Sequence, residues 1–319
     1  MCKIGYGFSK QELPGIVKSV LDQAEKDGLV SADERAFKDN LPTKGWTYSF
    51  LKRHPKLSPR AVENFGFQRS FVTEQVIRKW FTGLESFLSE EHGLDAKVFL
   101  SEENRGRISN CDESGFPLQG TTGKCHVIAE RGTKNVHRLA PDSKQQITVL
   151  SCVSAAGECA KPFVIYPGKR MPKFNMTGVS EDDYDLGYTE NGWISSDTFF
   201  GWIANLFYPS VKDKVTFPII LFMDGHTSHI NIAVSDFCRD HDIILFCFPP
   251  HSSHIMQPLD VSVFGPLKKG WNKSIKDFYL KNRVPMTKAH FFQVFDVAWK
   301  EACEKPNNVI SGFNRASAI

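Results

Sequence analysis

The sequence predicts an α/β fold in which a mixed sheet, ordered β-β-β-α-β-α-β-α along the chain, follows a small all-α unit. Three observations predict it. Apolar residues recur at helical spacing as far as His92, and from Arg107 the pattern shifts to short runs of strand length. Two of those runs, Phe217 to Met223 and Ile243 to Phe248, are continuously apolar and read as strands buried on both faces.

The first helix is announced by a capping box, Ser9 with Glu12 three residues on, after which Leu13, Ile16, Val17, Val20, Leu21 and Ala24 repeat at helical spacing until Gly28. Pro14 is awkward so near the start. A second helix fits Lys44 to His54, with Trp46, Phe50 and Leu51 on one side and Pro55 as its stop. A third can begin with Ser58 as N-cap and Pro59 at the first helical position. Short helices packed by a few aromatics suggest a helix-turn-helix unit.

A long helix follows, capped by Thr73, striped by Val76, Ile77, Trp80, Phe81, Leu84, Phe87 and Leu88, and ended by Gly93. It reads as a connector whose aromatics belong to a core. Strands are then expected over Arg107 to Cys111, Gln146 to Ser154 and Ala160 to Tyr166, the last two joined by an Ala155-Ala156-Gly157 turn. A helix through Phe199, Phe200, Ile203 and Phe207 leads to the strand ending at Met223. A helix over Ile230 to Arg239, the strand ending at Phe248 and a last helix beyond Pro258 complete the order. An antiparallel meander extended by parallel crossovers is a ribonuclease-H-like sheet. The expected boundaries are 1–70 for the helix-turn-helix domain, 71–105 for a connecting helix and linker, and 106–319 for the ribonuclease-H-like domain.

Composition bounds the partners. With 319 residues, 41% hydrophobic and 24% charged, the chain has room for two globular domains, and collagen, coiled coil and wholesale disorder are excluded. The net charge of +3 argues for no nucleic-acid partner by itself. Its distribution says more: between Pro42 and Ser70 stand Lys44, Lys52, Arg53, Lys56, Arg60 and Arg69 against a single acid, Glu63. That cluster suits DNA phosphates, and on charge alone it suits a solvated helix face equally. Eight cysteines without a C-x-x-C read as reduced thiols in an intracellular protein. No apolar run nears the roughly 20 residues that span a bilayer.

The chemistry rests on placement of carboxylates. Asp112 and Asp224 each follow an expected strand, at the edge where open α/β sheets bind ligands, and Asp260 opens the helix that packs back over that edge. Phosphodiester cleavage needs an activated oxygen nucleophile and a stabilised leaving oxygen, which two divalent cations can supply together. Three aspartates without histidine or thiolate suit Mg²⁺ (or Mn²⁺) better than zinc. Taken singly, Asp224-Gly225 also fits a turn, Asp260 a helix cap and Asp112 a surface loop. Cys247, His251 and His254 offer a zinc alternative, weakened by the intervening Pro249-Pro250 and the lack of a fourth ligand at useful spacing.

Three strings carry a resemblance. They are Asn110-Cys111-Asp112-Glu113-Ser114-Gly115-Phe116, Leu221 to Ile230 around Asp224-Gly225-His226, and Pro249 to His254 with Gln257-Pro258-Leu259-Asp260 through Lys268. Together they resemble the blocks of the pogo, Tigger and Jerky group of DDE/DDD transposases in the mariner-like superfamily. Pro167 to Arg170, Gly192-Trp193-Ile194 and Ile310-Ser311-Gly312-Phe313 fall where that group has similar strings. Lys52-Arg53-His54-Pro55-Lys56-Leu57-Ser58 is similar to the second half of a centromere protein B-type bipartite helix-turn-helix region.

The resemblance runs from about residue 8 to residue 313. It implies a DNA-binding module ahead of a metal-dependent endonuclease and strand-transfer domain, with Asp112, Asp224 and Asp260 as catalytic metal ligands. The 35 residues between the last two give a DD35D pattern. The chain begins too late to hold the first helix-turn-helix half, which the resemblance leads one to expect. The implied partner is double-stranded DNA and the implied location the nucleus, with no membrane and no small-molecule cofactor; a homodimer is left open. The competing expectation is a domesticated nuclear DNA-binding or chromatin protein without nuclease activity.

Overall fold

The computed structural model describes residues 9–31, 33, 35–59, 71–119, 145–170, 179–225, 231–303 and 305–316. The chain divides into two compact units, Met1–Phe71 and Val72–Ile319.

In the first unit, α1 (Leu13–Lys26) begins behind a reciprocal capping box: the Glu12 N–H donates to Ser9 Oγ at 3.2 Å and the Ser9 N–H donates to the Glu12 carboxylate at 2.7 Å. Pro14 lies in the first turn, where its missing N–H has no helical partner to lose, so it is not awkward after all. Helix α2 (Lys44–Arg53) is capped by Thr43, whose hydroxyl accepts from the Trp46 N–H at 3.3 Å. Trp46 meets Phe37 edge-on at 5.6 Å and stacks on Phe50 at 5.0 Å. The expected third helix beyond Pro59 lies outside the described residues.

The second unit starts with α3 (Glu74–His92), capped by Thr73 and closed by Gly93 at φ 64°, followed by the short α4 (Ala96–Phe99). The strands are β1 (Ile108–Pro117), β2 (Gln146–Ser154), β3 (Phe163–Pro167), β4 (Asp185–Thr189), β5 (Ile219–Met223) and β6 (Ile243–Cys247). Between β4 and β5 lie α5 (Ser196–Trp202), a π turn (Ile203–Phe207) and α6 (Tyr208–Val211), and between β5 and β6 lies α7 (Ile232–Asp240). After β6 come α8 (Ser253–Met256), a second π turn (Leu259–Val263), α9 (Phe264–Asn282), α10 (Phe291–Cys303) and α11 (Pro306–Arg315).

The six strands lie in the order β4-β3-β2-β1-β5-β6. Strands β1, β2 and β3 form an antiparallel meander, while β5 pairs parallel with β1 and β6 parallel with β5. This is the ribonuclease-H-like mixed sheet. One face is covered by α3, α9, α10 and α11 through Leu84, Leu88, Trp271, Phe295 and Phe313; the other is covered by α5, the first π turn and α7 through Phe199, Ile203 and Val234. Trp80 of α3 packs among Phe222, Phe246 and Phe248 and donates its indole N–H to the Cys247 carbonyl at 2.8 Å.

The structure extends the expected pattern in three places. Strand β1 runs on to Pro117, because β2 continues to pair with it beyond the point where β5 stops. Strand β4, parallel to β3, is built from Asp185-Leu186-Gly187-Tyr188-Thr189, too polar to read as a buried strand. Helices α10 and α11 follow what was expected to be the last helix, with Phe291, Phe292, Phe295 and Phe313 completing the core over β1 and β3.

Candidate active site

Asp112 lies within β1 and not at its end. The parallel register of β1 on β5 runs Ile108 to Ile220 and Asn110 to Phe222, then stops. Asp112 and Asp224 each stand two residues past that last pair. Side chains alternate along strands, so both acids rise from the face carrying Ile108, Ile220 and Phe222. The second π turn brings Asp260 over the same face: its neighbours Leu259 and Val263 are wholly buried in that core, while Asp260 itself is exposed.

The three acids therefore lie toward one edge of the sheet although 111 residues separate the first from the second. Burial first, then the charge of Asp260, with Glu113 and Asp224 adding to it, pushes the Asp112 carboxyl well above the usual carboxylate range. Among the described residues, an opposing hydrogen bond comes from the Glu113 N–H at 2.8 Å. Among the described residues no group of three His, Cys, Asp or Glu side chains is already arranged to hold a metal ion.

The donor set fits a hard divalent cation: three carboxylates at one edge, with polar groups lacking partners beside them. Ser151 stands opposite Asp112 in the β1–β2 register, fully buried, its hydroxyl without a hydrogen-bond partner among the described residues. Gln257, three residues before Asp260, is also fully buried, with neither carboxamide atom bonded. Orphaned buried polar atoms of this kind mark a place completed by water or an ion. On the zinc alternative, burial and the neighbouring Asp224 push the Cys247 thiol up, so a metal bound there would have to displace its proton.

The basic cluster lies in the first unit. Lys44, Lys52, Arg53 and Lys56 are all exposed, and none of them is ion-paired among the described residues. Arg60 and Arg69 lie outside the described residues. Sequence reasoning passed over Asn110, which is fully buried and bonded to both β5 and the turn carrying Asp260. The signal available was an amide side chain on the same strand face as Asp112, two positions before it.

Among solved structures, the Mos1 transposase paired-end complex with left transposon end is similar at a TM-score of 0.49 and 11% identity, over 96% of this chain and 80% of that one. The Mos1 mariner paired end complex with Mn follows at 0.45 and 14%, over 95% of this chain and 78% of that one. A protein described as the MFS-type transporter clz9 of Cochliobolus lunatus is 26% identical over 224 residues, 70% of this chain. The match takes in only 24% of that protein, so this chain spans about a quarter of its curated relative's length. Among the described residues no helix is long and apolar enough to cross a membrane. The family model of the DDE superfamily endonuclease matches residues 144–313, which include Asp224 and Asp260 and make up more than half of the sequence, and the chain belongs to that family.

Proposed function

We propose that this chain is a transposase of the pogo, Tigger and Jerky type, cutting and joining double-stranded DNA in the nucleus at Asp112, Asp224 and Asp260. The observation that carries the reading is the half-buried Asp112 carboxyl crowded by Asp260 and Asp224 at the edge where β1 and β5 part. Asp112 and Asp224 each follow the last β1–β5 pair by two residues and face the same side of the sheet. Asp260, on the exposed turn, closes the group from above. A divalent cation bound there, Mg²⁺ or Mn²⁺, would polarise the scissile phosphate and activate the attacking oxygen. The polar Ser151 and Gln257 border the acids, and the apolar floor of Phe222 and Leu259 excludes water from below.

DNA is held, on this reading, by the first unit. Lys44, Lys52, Arg53, Lys56, Arg60 and Arg69 contact phosphates, with one or two of them reaching base edges. Binding that releases counterions should weaken with salt at a log-log slope of about −0.9 per neutralised phosphate. Lys52→Ala should reduce the magnitude of that slope by roughly one, measured by fluorescence anisotropy of the full chain on duplex DNA. An unchanged slope makes the basic window a solvated surface.

The experiment that tests the reading as a whole is divalent-cation-dependent nicking of duplex DNA by the wild-type chain. Absence of any cleavage, with DNA binding retained, would favour the domesticated DNA-binding protein in its place. Homodimer formation belongs to the same proposal, since cutting and joining two transposon ends calls for two active sites.

A further inference from the structure

Three backbone segments must be held in register for three carboxylates to form one site, and a single buried side chain touches all three. Asn110 is 0% exposed. It stands in β1, two residues before Asp112. Its Nδ2 donates to the Phe222 carbonyl at 3.1 Å, two residues before Asp224, and to the Cys111 carbonyl at 3.3 Å. Its Oδ1 accepts from the Leu259 N–H at 3.2 Å, one residue before Asp260. The amide orientation is fixed by this set, because the only N–H donor faces the oxygen and both carbonyls face the nitrogen.

Two details make the bond to Leu259 more than ordinary satisfaction of a buried amide. The Leu259 N–H sits at the start of a π turn, where a helix leaves donors without partners inside its own ladder. The turn is also tied to α11: Ser262 Oγ donates to the Asn308 carbonyl at 2.7 Å and to the Pro258 carbonyl at 3.3 Å. A Cβ on Gly312 would collide with Ser262 Oγ and come within 2.7 Å of the Pro258 oxygen. The segment carrying Asp260 is thus held by Asn110 at Leu259 and by α11 at Ser262 and Pro258.

We infer that Asn110 is the positioning residue of this site, fixing the height of the Asp260 turn against the two strand ends that carry Asp112 and Asp224. It does not touch the reacting atoms; it acts through the backbone of the three ligand-bearing segments. The inference rests on the proposed metal-dependent function for its consequence, though not for its geometry. Because Mg²⁺ demands near-ideal octahedral geometry, a misplaced third carboxylate should harm Mg²⁺ use more than Mn²⁺ use.

The test compares full-length wild type, Asn110→Ala, Asn110→Ser and Gly312→Ala. Backbone hydrogen exchange is read over residues 257–263 without metal, Mn²⁺ affinity is read by calorimetric titration, and nicking is read in Mg²⁺ and in Mn²⁺. Asn110→Ala should speed exchange over 257–263 at least tenfold while leaving α10 protected, weaken Mn²⁺ binding by about 10- to 100-fold, and lose more activity in Mg²⁺ than in Mn²⁺. Gly312→Ala, displacing the same turn through α11, should shift all three readouts in the same direction, and Asn110→Ser, too short to bond the Phe222 carbonyl and the Leu259 N–H together, decides the matter by the same exchange readout should Asn110→Ala fail to fold. Unchanged exchange over 257–263 overturns the inference whether or not the chain is a nuclease. Faster exchange with wild-type Mn²⁺ affinity overturns it while leaving the nuclease reading intact. A wild type that binds no Mn²⁺ sinks the nuclease reading, and the exchange comparison still decides whether Asn110 holds the turn.

Discussion

Asp224→Asn is expected to reduce Mg²⁺-dependent nicking of duplex DNA by about a thousandfold or more while leaving the fold and DNA affinity unchanged. The substitution keeps the shape of the side chain and removes the charge that holds a cation. Lewis-acid stabilisation contributes several kcal/mol to the transition state, and each 1.36 kcal/mol is about tenfold in rate. Asp224 stands just past the fully buried β5, with Met223 and Phe222 locked in the core behind it, so the backbone at this position has little freedom to relax. Nicking that survives in Asp224→Asn at the wild-type rate places the active centre elsewhere or points to a contaminating nuclease.

The opposite sign is expected for stability at Asp112. In the metal-free protein, Asp112→Asn should raise the thermal midpoint at pH 7 by about 2–4 °C, the shift that roughly 1 kcal/mol produces in a unit of this size. The reason is the site's own geometry: Asp112 sits in a poorly solvated place beside Asp260, Glu113 and Asp224, which raises its folded pKa above the unfolded value of about 3.9. A raised carboxyl pKa means that the neutral acid's stability is fully present below about pH 4 and is lost as pH rises through the folded value. Asparagine imitates the neutral acid at every pH. The variant's advantage should therefore vanish near pH 4 and grow towards neutrality, followed by thermal denaturation across that range. Saturating Mg²⁺ should stabilise the wild type and leave the variant almost unmoved. A variant less stable than wild type without metal, at pH 7, contradicts the crowded-carboxylate picture.

Local features were the most legible in the sequence. Thr73 and Gly93 mark the ends of α3 because a hydroxyl cap and a left-handed closing residue are short-range requirements. The continuous apolar run Ile219–Met223 identifies β5 because a strand covered on both faces has no polar side to show. Asp224 just past β5 and Asp260 in the first turn after Pro258 could be placed at element boundaries for the same reason, whereas Asp112, expected at a strand end, lies inside β1. What was not legible depends on distant partners. Glu113 to Pro117 lengthen β1 only because β2 lies alongside, and Gly187 is acceptable in β4 because the Phe163 ring fills the space a Cβ would need, at 2.5 Å. Asn110 stood in view beside Asp112, but its partner Leu259 is 149 residues away and no local pattern announces the bond. The apolar surfaces of α10 and α11 read as helices only once a sheet is there to receive them.

On the proposed function, Asp112, Asp224 and Asp260 form one divalent-cation site. A crystal of the full chain soaked in Mn²⁺, with anomalous scattering recorded at the manganese edge, tests it most directly. The expected result is an anomalous peak bounded by carboxylate oxygens of all three residues, at the edge where β1 and β5 diverge. A Mn²⁺ peak held by other residues, or Asp260 turned away from a cation bound by Asp112 and Asp224, would contradict it.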